Sequence, residues 1–258
     1  MALEVKKIFI DSRYRTADSK SDSDFRIQLG RNVFLPDNCV FHLEHCVFPH
    51  SWYTIEAGIN DTMYYKVSNF DIQKAIIPST NYSGSALASA LNQVLSHGLN
   101  AAYDLNTNKI MITSTQGLSF KVLTDSELSR DYSIAVHNSS NDIITNRTPK
   151  LCGPGSPFIS GMLNLQGFRS LYISSSTLSN YDTLGPLGEN SIIKKIITDA
   201  DFGYLMIDQT VSDHDFLNCE RMTLNTIDFQ IRDVRGNLIP FHDSPVSFTI
   251  IFSIGNHR

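Results

Sequence analysis

The sequence is short of positive charge. Its 258 residues include 21 lysines and arginines against 26 aspartates and glutamates, which gives a formal net charge of −5. A protein that coats nucleic acid needs clustered basic residues to neutralise phosphates. Here the basic residues are scattered in pairs, such as Lys6 with Lys7 and Lys194 with Lys195. The composition therefore argues against specific nucleic-acid binding as the main role.

Long hydrophobic segments are also missing. The longest apolar-rich run, Val246 to Ile254, covers nine residues and includes serine and threonine. A helix needs about 20 apolar residues to span a bilayer. The first ten residues alternate in character and contain no apolar stretch typical of a signal peptide. We therefore expect neither a membrane span nor a secretory signal, and a protein that is intracellular when made.

Cysteine is sparse, with only Cys39, Cys46, Cys152 and Cys219. Disulfides persist mainly in secreted proteins, and the sequence has no secretory signal. These four residues are therefore predicted to be reduced cysteines in the core.

Two of these cysteines lie in a cluster of residue types that bind zinc. Cys39, His42, His45, Cys46 and His50 fall within twelve residues. On a regular strand, Cys39 and His45 would face one way, and His42 and Cys46 the other. Four ligands then cannot converge on one ion unless the strand is broken, so the spacing predicts no metal site.

Catalytic motifs are absent as well. The sequence contains no Gly-x-Ser-x-Gly nucleophile elbow. Asp213-His214-Asp215 precedes Phe216-Leu217 and is interpreted as a turn before a strand. The glycine-rich segment 151–157 lacks the Gly-Lys-Ser/Thr of a phosphate-binding loop. We predict that the protein is not an enzyme and binds no cofactor.

Alternating apolar and polar residues dominate both ends of the chain. This period of two predicts strands with one buried face. It is clearest in Val246, Phe248, Ile250, Phe252 and Ile254. In a second run, Cys39, Phe41, Leu43 and Val47 are predicted to share one face, with His42 and Glu44 on the other. Strands at both ends of one sandwich are what a jelly roll requires.

The middle of the chain has a different pattern. Leu87, Leu91, Val94 and Leu95 are spaced as one apolar stripe of a helix, which Ser83 or Ser85 would cap and Gly98 would end. This is the only strong helix signal. A hairpin is predicted over 102–113 and a strand over 118–123, whereas 138–161 is predicted to be a return loop. The fold predicted is mainly β, a single jelly-roll sandwich (1–59 and 162–258) with an inserted small α+β unit (60–161).

Two polar segments are longer than the connections of a sandwich need to be. Residues 11–24 separate two predicted strands, although the median connection is about four to six residues. Residues 174–182 follow the predicted strand 171–173. Each segment is either a solvated loop or a contact with a neighbouring subunit.

Three groups of short motifs follow one another along the chain. The first joins Asp11-Ser12-Arg13-Tyr14-Arg15 to Ser23-Asp24-Phe25-Arg26-Ile27. The second joins Asn81-Tyr82-Ser83-Gly84 to Tyr103-Asp104 and Asn108-Lys109-Ile110. The third joins Leu171-Tyr172-Ile173 to Ile231-Arg232-Asp233 and the last strand. In this order, over almost the whole chain, they resemble the minor capsid (penton) proteins of Polinton/Maverick elements, adintoviruses and virophages.

The resemblance implies a structural protein of the virion with no catalytic residues. It implies a jelly roll, a homopentamer at each fivefold vertex of an icosahedral shell, and a double-jelly-roll major capsid protein as neighbour. No specific nucleic acid and no membrane span are expected. The two long polar segments would then supply subunit contacts, through Arg13, Tyr14 and Arg15 and through Asn180, Tyr181 and Asp182.

A second class of function remains open at this point. A virion spike or lectin-like module would recognise host glycans through loop residues such as Trp52, Tyr53 and Tyr181. A third class, an enzyme of the cupin or hydrolase type, is disfavoured because the His-x-His metal pattern and the nucleophile elbow are missing.

Overall fold

The computed structural model describes residues 5–68, 70–134, 138–179, 183–212 and 214–254. The chain forms two compact units. The first joins the residues up to Trp52 to those from Phe168 onward, and the second runs from Tyr53 to Gly167. The insert predicted from the sequence covers residues 60–161, so the second unit of the structure extends further at both ends.

The described residues form fifteen strands and two α-helices, in this order: β1 (Lys6–Asp11), β2 (Asp24–Phe34), β3 (Cys39–Pro49), β4 (Thr62–Val67), β5 (Gln73–Ile76), α1 (Gly84–Val94), β6 (Leu99–Asp104), β7 (Lys109–Ser114), β8 (Phe120–Val122), α2 (Asp125–Tyr132), β9 (Phe158–Ile159), β10 (Ser170–Ser174), β11 (Ile192–Ile197), β12 (Leu205–Asp208), β13 (Leu217–Asn218), β14 (Thr223–Arg232) and β15 (Ser247–Ile254). None of the described helices is long and apolar enough to cross a bilayer.

The first unit consists of two antiparallel sheets. One has the strand order β1-β15-β3-β12, with β13 also paired to β3, and we call it sheet A. The other, sheet B, has the order β11-β10-β14-β2. The first strand therefore pairs with the last, and the second with the last but one. These nine strands, with β12 and β13 both paired to β3, have the nested arrangement of a jelly roll, which confirms the predicted fold class.

A β-bulge in β3 changes which side chains reach the core. The pairing of β3 with β15 runs from Val47 opposite Ser247 to Glu44 opposite Thr249, so it skips a residue at His45. His45 has a φ of 51°, which shifts the alternation by one position. Cys46 and Phe48 are buried as a result. The prediction that Val47 shares the core face was wrong because it assumed an unbroken strand.

The second unit contains the predicted helix and hairpin. The side chain of Ser83 accepts a hydrogen bond from Ala86 N (3.2 Å) and caps α1. The apolar stripe of α1 packs on β6 and β7 in a core that includes Leu87, Leu91, Ile110 and Ile112. The hairpin pairs β6 with β7 from Leu99 opposite Ser114 to Asp104 opposite Lys109. The stripe thus packs within its own unit, as predicted.

Two features of this unit differ from the predictions. A second helix, α2, follows Thr124, whose side chain accepts from the backbone of Glu127 while Glu127 accepts from the backbone of Thr124. This capping box, Thr-x-x-Glu, was the overlooked sequence signal. The segment 138–161 is also more than a return loop. Ile143, Ile144 and Phe158 are buried in the core of the unit, and β9 pairs with β7.

Candidate subunit-contact surfaces

The polar tract 11–24 is held by a buried hydrogen-bond network. Ser12 Oγ donates to Asp22 Oδ1 (2.5 Å), and Arg15 Nη1 donates to the same oxygen (2.7 Å). The backbone N–H of Val246 donates to Ser12 Oγ (3.0 Å) and ties the tract to the start of β15. Asp22 is buried, so the Arg15 guanidinium compensates a carboxylate that water does not reach. The tract is therefore an ordered part of the sandwich.

The same tract covers the open edge of β2. Thr16 N–H donates to the carbonyl of Arg26 (2.9 Å), and Arg26 N–H donates to Ser19 Oγ (2.9 Å). Lys20 N–H donates to the carbonyl of Asp24 (3.0 Å). An uncovered edge strand would present unpaired N–H and C=O groups to other chains. The unusual length of this connection thus protects β2.

The network determines where the three predicted contact residues lie. Tyr14 is 79% exposed. Arg13 is exposed and binds Asp11 through Nε–Oδ1 (2.9 Å), and this hydrogen bond lowers the pKa of the Asp11 carboxyl. Arg15 is half-buried and bonded to Asp22. Tyr14 and Arg13 are therefore on the surface, whereas Arg15 stabilises the tract from within.

The second polar segment is anchored on one carboxylate of β14. Asp228 accepts from the backbone N–H groups of Ser176 (3.0 Å) and Thr177 (2.8 Å) and from both of their hydroxyls. Burial raises the pKa of Asp228, but these four hydrogen bonds outweigh it and leave the pKa below its usual value. The start of the segment is thus fixed on sheet B. Asn180, Tyr181 and Asp182 lie outside the described residues.

The outer face of β1 carries an exposed aromatic residue, Phe9, that is not among the predicted contact residues. Ile10 faces the core, so Lys7 and Phe9 alternate on the outer face of sheet A. Phe9 is 78% exposed. In the run Lys-Ile-Phe-Ile-Asp, apolar residues occupy both faces of the strand. This pattern could have indicated from the sequence that one apolar side chain of β1 lies on the outer face.

A second apolar area lies at the opposite edge of sheet A. Leu205 and Ile207 of β12 stand opposite Pro49 and Val47 of β3. They are 58% and 54% exposed. The bulge in β3 contributes to this area, since it turns Val47 outward. The two edges of sheet A therefore both carry apolar side chains on the outer face.

The turn between β11 and β12 is fixed by His50. The backbone N–H of His50 donates to the carbonyl of Tyr204 (2.9 Å), and Gly203 N–H donates to the carbonyl of His50 (2.8 Å). The ring Nδ1 of His50 is 2.7 Å from the carbonyl oxygen of Ala200. These contacts hold an exposed turn that carries Asp199 and Asp201. The turn is therefore an ordered acidic surface next to β12.

A cleft of about 430 Å³ opens between β11 and β12. Lys194 lies at its base, where Nζ donates to the carbonyl of Thr210 (2.8 Å) and lies 3.3 Å from Asp208 Oδ2. Asp199 and Asp215 also line the cleft. Lys194 is thus bound within its own subunit, and the exposed Lys195 lines the cleft together with the carboxylates of Asp199 and Asp215.

The histidine, cysteine and aspartate residues considered as metal ligands or catalytic groups do not form a shared site within the described residues. Within the described residues, no three His, Cys, Asp or Glu side chains lie close enough to share a metal ion. Burial raises the pKa of Cys46 to about 12, which keeps its thiol protonated. His214 and Asp215 are on the surface of the first unit near β11, and Asp213 lies outside the described residues.

Of the residues proposed for glycan recognition, the two that the structure describes, Trp52 and Tyr53, do not form an exposed aromatic site. Trp52 is fully buried, with its ring 4.3 Å from that of His50 and 5.8 Å from that of Phe168. Tyr53 is half-buried, and Tyr181 is not among the described residues. Trp52 lies outside the strands, as predicted, but its ring fills the core of the first unit and is not available to a ligand.

Comparison with known proteins identifies a solved structure with a similar fold. No family model matches the sequence, and no curated protein matches it. Among solved structures, the mavirus penton protein aligns with a TM-score of 0.50 and 10% identity over 97% of this chain and 99% of that chain. A chain of the Sputnik virophage structure aligns over 98% of both chains, with a TM-score of 0.39 and 11% identity. The resemblance noted in the sequence is thus confirmed at the level of the fold, which this chain shares with the mavirus penton protein.

Proposed function

We propose that the protein is a penton, a structural minor capsid protein that forms homopentamers at the fivefold vertices of an icosahedral shell. The observation that carries the proposal is the shared fold with the mavirus penton protein. The alignment covers almost all of both chains, so it includes the second unit as well as the jelly roll. A jelly roll alone occurs in capsid proteins, lectins and cupins, and is less specific.

The surface of the first unit supports a role in assembly. Its exposed features are apolar strand edges and ordered polar loops, which are typical of surfaces that bind other proteins. In the proposed pentamer, Arg13, Tyr14 and the segment with Asn180, Tyr181 and Asp182 contact neighbouring subunits. Arg15 acts indirectly, because it orders the tract that presents Tyr14.

The proposed location is the capsid vertex, and the proposed neighbour is a double-jelly-roll major capsid protein. The work of such a subunit is geometric and needs no catalytic group. A heterologous contact closes into a ring when each step turns by one fifth of a circle. The glycan-binding alternative has less support, because the ring of Trp52 is unavailable to a ligand.

The proposal is tested by the oligomeric state of the purified protein. Light scattering should give five times the mass of the 28.9 kDa chain, and negative-stain microscopy should show fivefold rings. Co-expression with the major capsid protein should yield shells that contain this protein at their vertices. A monomer at all concentrations that also fails to enter co-expressed shells contradicts the proposal.

A matched pair of variants tests the contact residues. Tyr14→Ala removes an exposed aromatic ring from the tract, and Leu105→Ala removes a side chain of similar exposure from the second unit. Loss of one interface residue of this kind weakens each contact by about 1–2 kcal/mol. We expect Tyr14→Ala to shift the ring–monomer balance toward monomer and Leu105→Ala to leave it unchanged. Equal behaviour of the two variants removes Tyr14 from the proposed contact.

A further inference from the structure

We infer that the subunit contact is head to tail across sheet A, with the β1 edge of one copy packed against the β12 edge and its acidic turn in the next copy. The inference rests on the proposed pentamer and identifies the surfaces that close it. The partner is a second copy of this chain.

The first surface, called the β1 surface, comprises Lys7, Phe9 and the tract residue Tyr14. Phe9 and Tyr14 are the two most exposed aromatic side chains of β1 and the tract that follows it. No described strand pairs with the outer edge of β1. The tract covers the edge of β2 in sheet B, whereas the edge of β1 in sheet A remains open.

The second surface, called the β12 surface, comprises Leu205, Ile207 and the turn with Asp199 and Asp201. Among the described residues, no strand pairs with the outer edge of β12 either. The turn is fixed on His50, so its carboxylates are presented without a large ordering cost on binding. The cleft beside Lys194 adjoins this surface.

The two surfaces have opposite charge. The β1 surface carries the exposed Lys7, whereas the turn of the β12 surface carries the exposed Asp199 and Asp201. No ion pair joins Lys7, Asp199 or Asp201 to another described residue. Opposed patches of this kind orient two proteins and reject wrong pairings.

Position in the sheet gives the contact its direction. β1 and β12 are the two ends of the strand order in sheet A, so they lie at opposite edges of one subunit. A contact between unlike surfaces leaves one free surface at each end of the pair, and more subunits add until the ring closes. A twofold dimer made through either surface alone would instead bring like charges together. The complementary edges therefore favour a ring of copies.

Charge reversal tests the electrostatic part. Lys7→Glu or Asp201→Lys should each raise the protein concentration needed for half-assembly by about tenfold. The double variant restores opposite charges at every junction and should recover most of the assembly. Lys150→Glu, an exposed reversal in the second unit, is the control and should have no effect.

Cross-linking tests the location directly. The four native cysteines are buried, so cysteines introduced at Phe9 and Ile207 provide the reactive thiols. A short bis-maleimide should join the Phe9→Cys/Ile207→Cys chains into a ladder that ends at the pentamer. The Phe9→Cys/Leu105→Cys protein should give no such ladder.

The outcomes separate this inference from the proposed function. Rings that form normally but give no ladder, and that tolerate both single reversals, overturn the inference and leave the penton assignment intact. A wild-type protein that neither forms rings nor enters shells overturns the penton assignment itself. A ladder that stops at the dimer also contradicts the head-to-tail contact.

Discussion

Phe229 of β14 and Phe248 of β15 meet edge to face, with their ring centroids 5.0 Å apart. The two strands belong to different sheets, so this pair joins the sheets inside the sandwich. Phe248 also stacks on Phe48 of β3, and Phe229 contacts Phe25 of β2. One aromatic cluster thus connects four strands of the jelly roll.

Truncation of this cluster should destabilise the first unit. Phe248→Ala leaves a cavity in a core that is fully buried, which costs about 3–5 kcal/mol. Phe34→Ala removes an exposed ring and should cost about 0.5 kcal/mol or less. Trp52, the only tryptophan, is buried in the first unit, so its fluorescence during urea unfolding measures both changes. Equal loss in the two variants contradicts the central position of Phe248.

The buried network of the tract should contribute to stability as well. Asp22→Ala removes the acceptor of both Ser12 and Arg15 and should lower the free energy of unfolding by about 1–3 kcal/mol. The control is Asp18→Ala, which removes only exposed interactions, the ion pair with Arg26 and the hydrogen bond with Thr16, and should change the stability much less than Asp22→Ala does. Asp22→Ala should also make the tract sensitive to limited proteolysis. A tract that resists cleavage in this variant contradicts the anchoring role.

His42 should make the first unit less stable in mild acid. Its Nδ1 is buried without a hydrogen-bond partner, and its ring lies 4.7 Å from that of Phe216. Burial is the main cause that lowers the pKa of His42 below 6.5. The positive charges of Lys194 and Lys7 lower this pKa further, whereas the negative charges of Glu44 and Asp215 raise it.

The sign of the pH effect follows from the lowered pKa. Below about pH 6.5 the unfolded chain takes up a proton that the folded chain excludes. Stability is therefore complete above that pH and falls until the lower folded-state pKa is passed. His42→Leu should flatten this dependence between pH 7 and 5, measured by Trp52 fluorescence in urea. The exposed His214→Leu should retain the wild-type slope, and a wild-type slope in His42→Leu would exclude His42 as its source.

The capping box should hold α2 in place. Thr124→Ala removes the acceptor for the backbone N–H of Glu127 and should cost about 1 kcal/mol. Hydrogen exchange of the α2 amides measures this loss within the second unit. Ser129→Ala, at an exposed position inside the helix, should leave protection unchanged or raise it slightly. Faster exchange in both variants alike contradicts a specific effect of the cap.

Much of the fold could be predicted from local patterns. The alternation of β15 and the apolar stripe of α1 both reflect burial of one face, and the spacing of apolar residues along the sequence indicates which face is buried. The bulge at His45 could not be predicted, because its positive φ comes from pairing with β15 rather than from a glycine. Helix α2 was overlooked because its sequence is polar, with Leu128 as its main buried apolar contact.

The candidate contact surfaces were harder to predict. Tyr14 and Arg13 were selected because their segment is too long for a simple turn, and the structure gives that length a second cause, the protection of β2. Phe9, Leu205 and Ile207 were missed because an apolar residue on an outer face looks like a core residue until the inward side of the strand is known. Only the strand order reveals that they occupy opposite edges of one sheet.

The pairing of β1 with β15 has a consequence for synthesis. Among the described residues, residues 6–11 pair only with residues 247–252, so β1 stays unpaired until those residues have left the ribosome. The core of the second unit uses only residues between 55 and 165, so this unit can fold first. Such long-range pairing slows folding. The jelly roll is therefore expected to fold more slowly than the second unit.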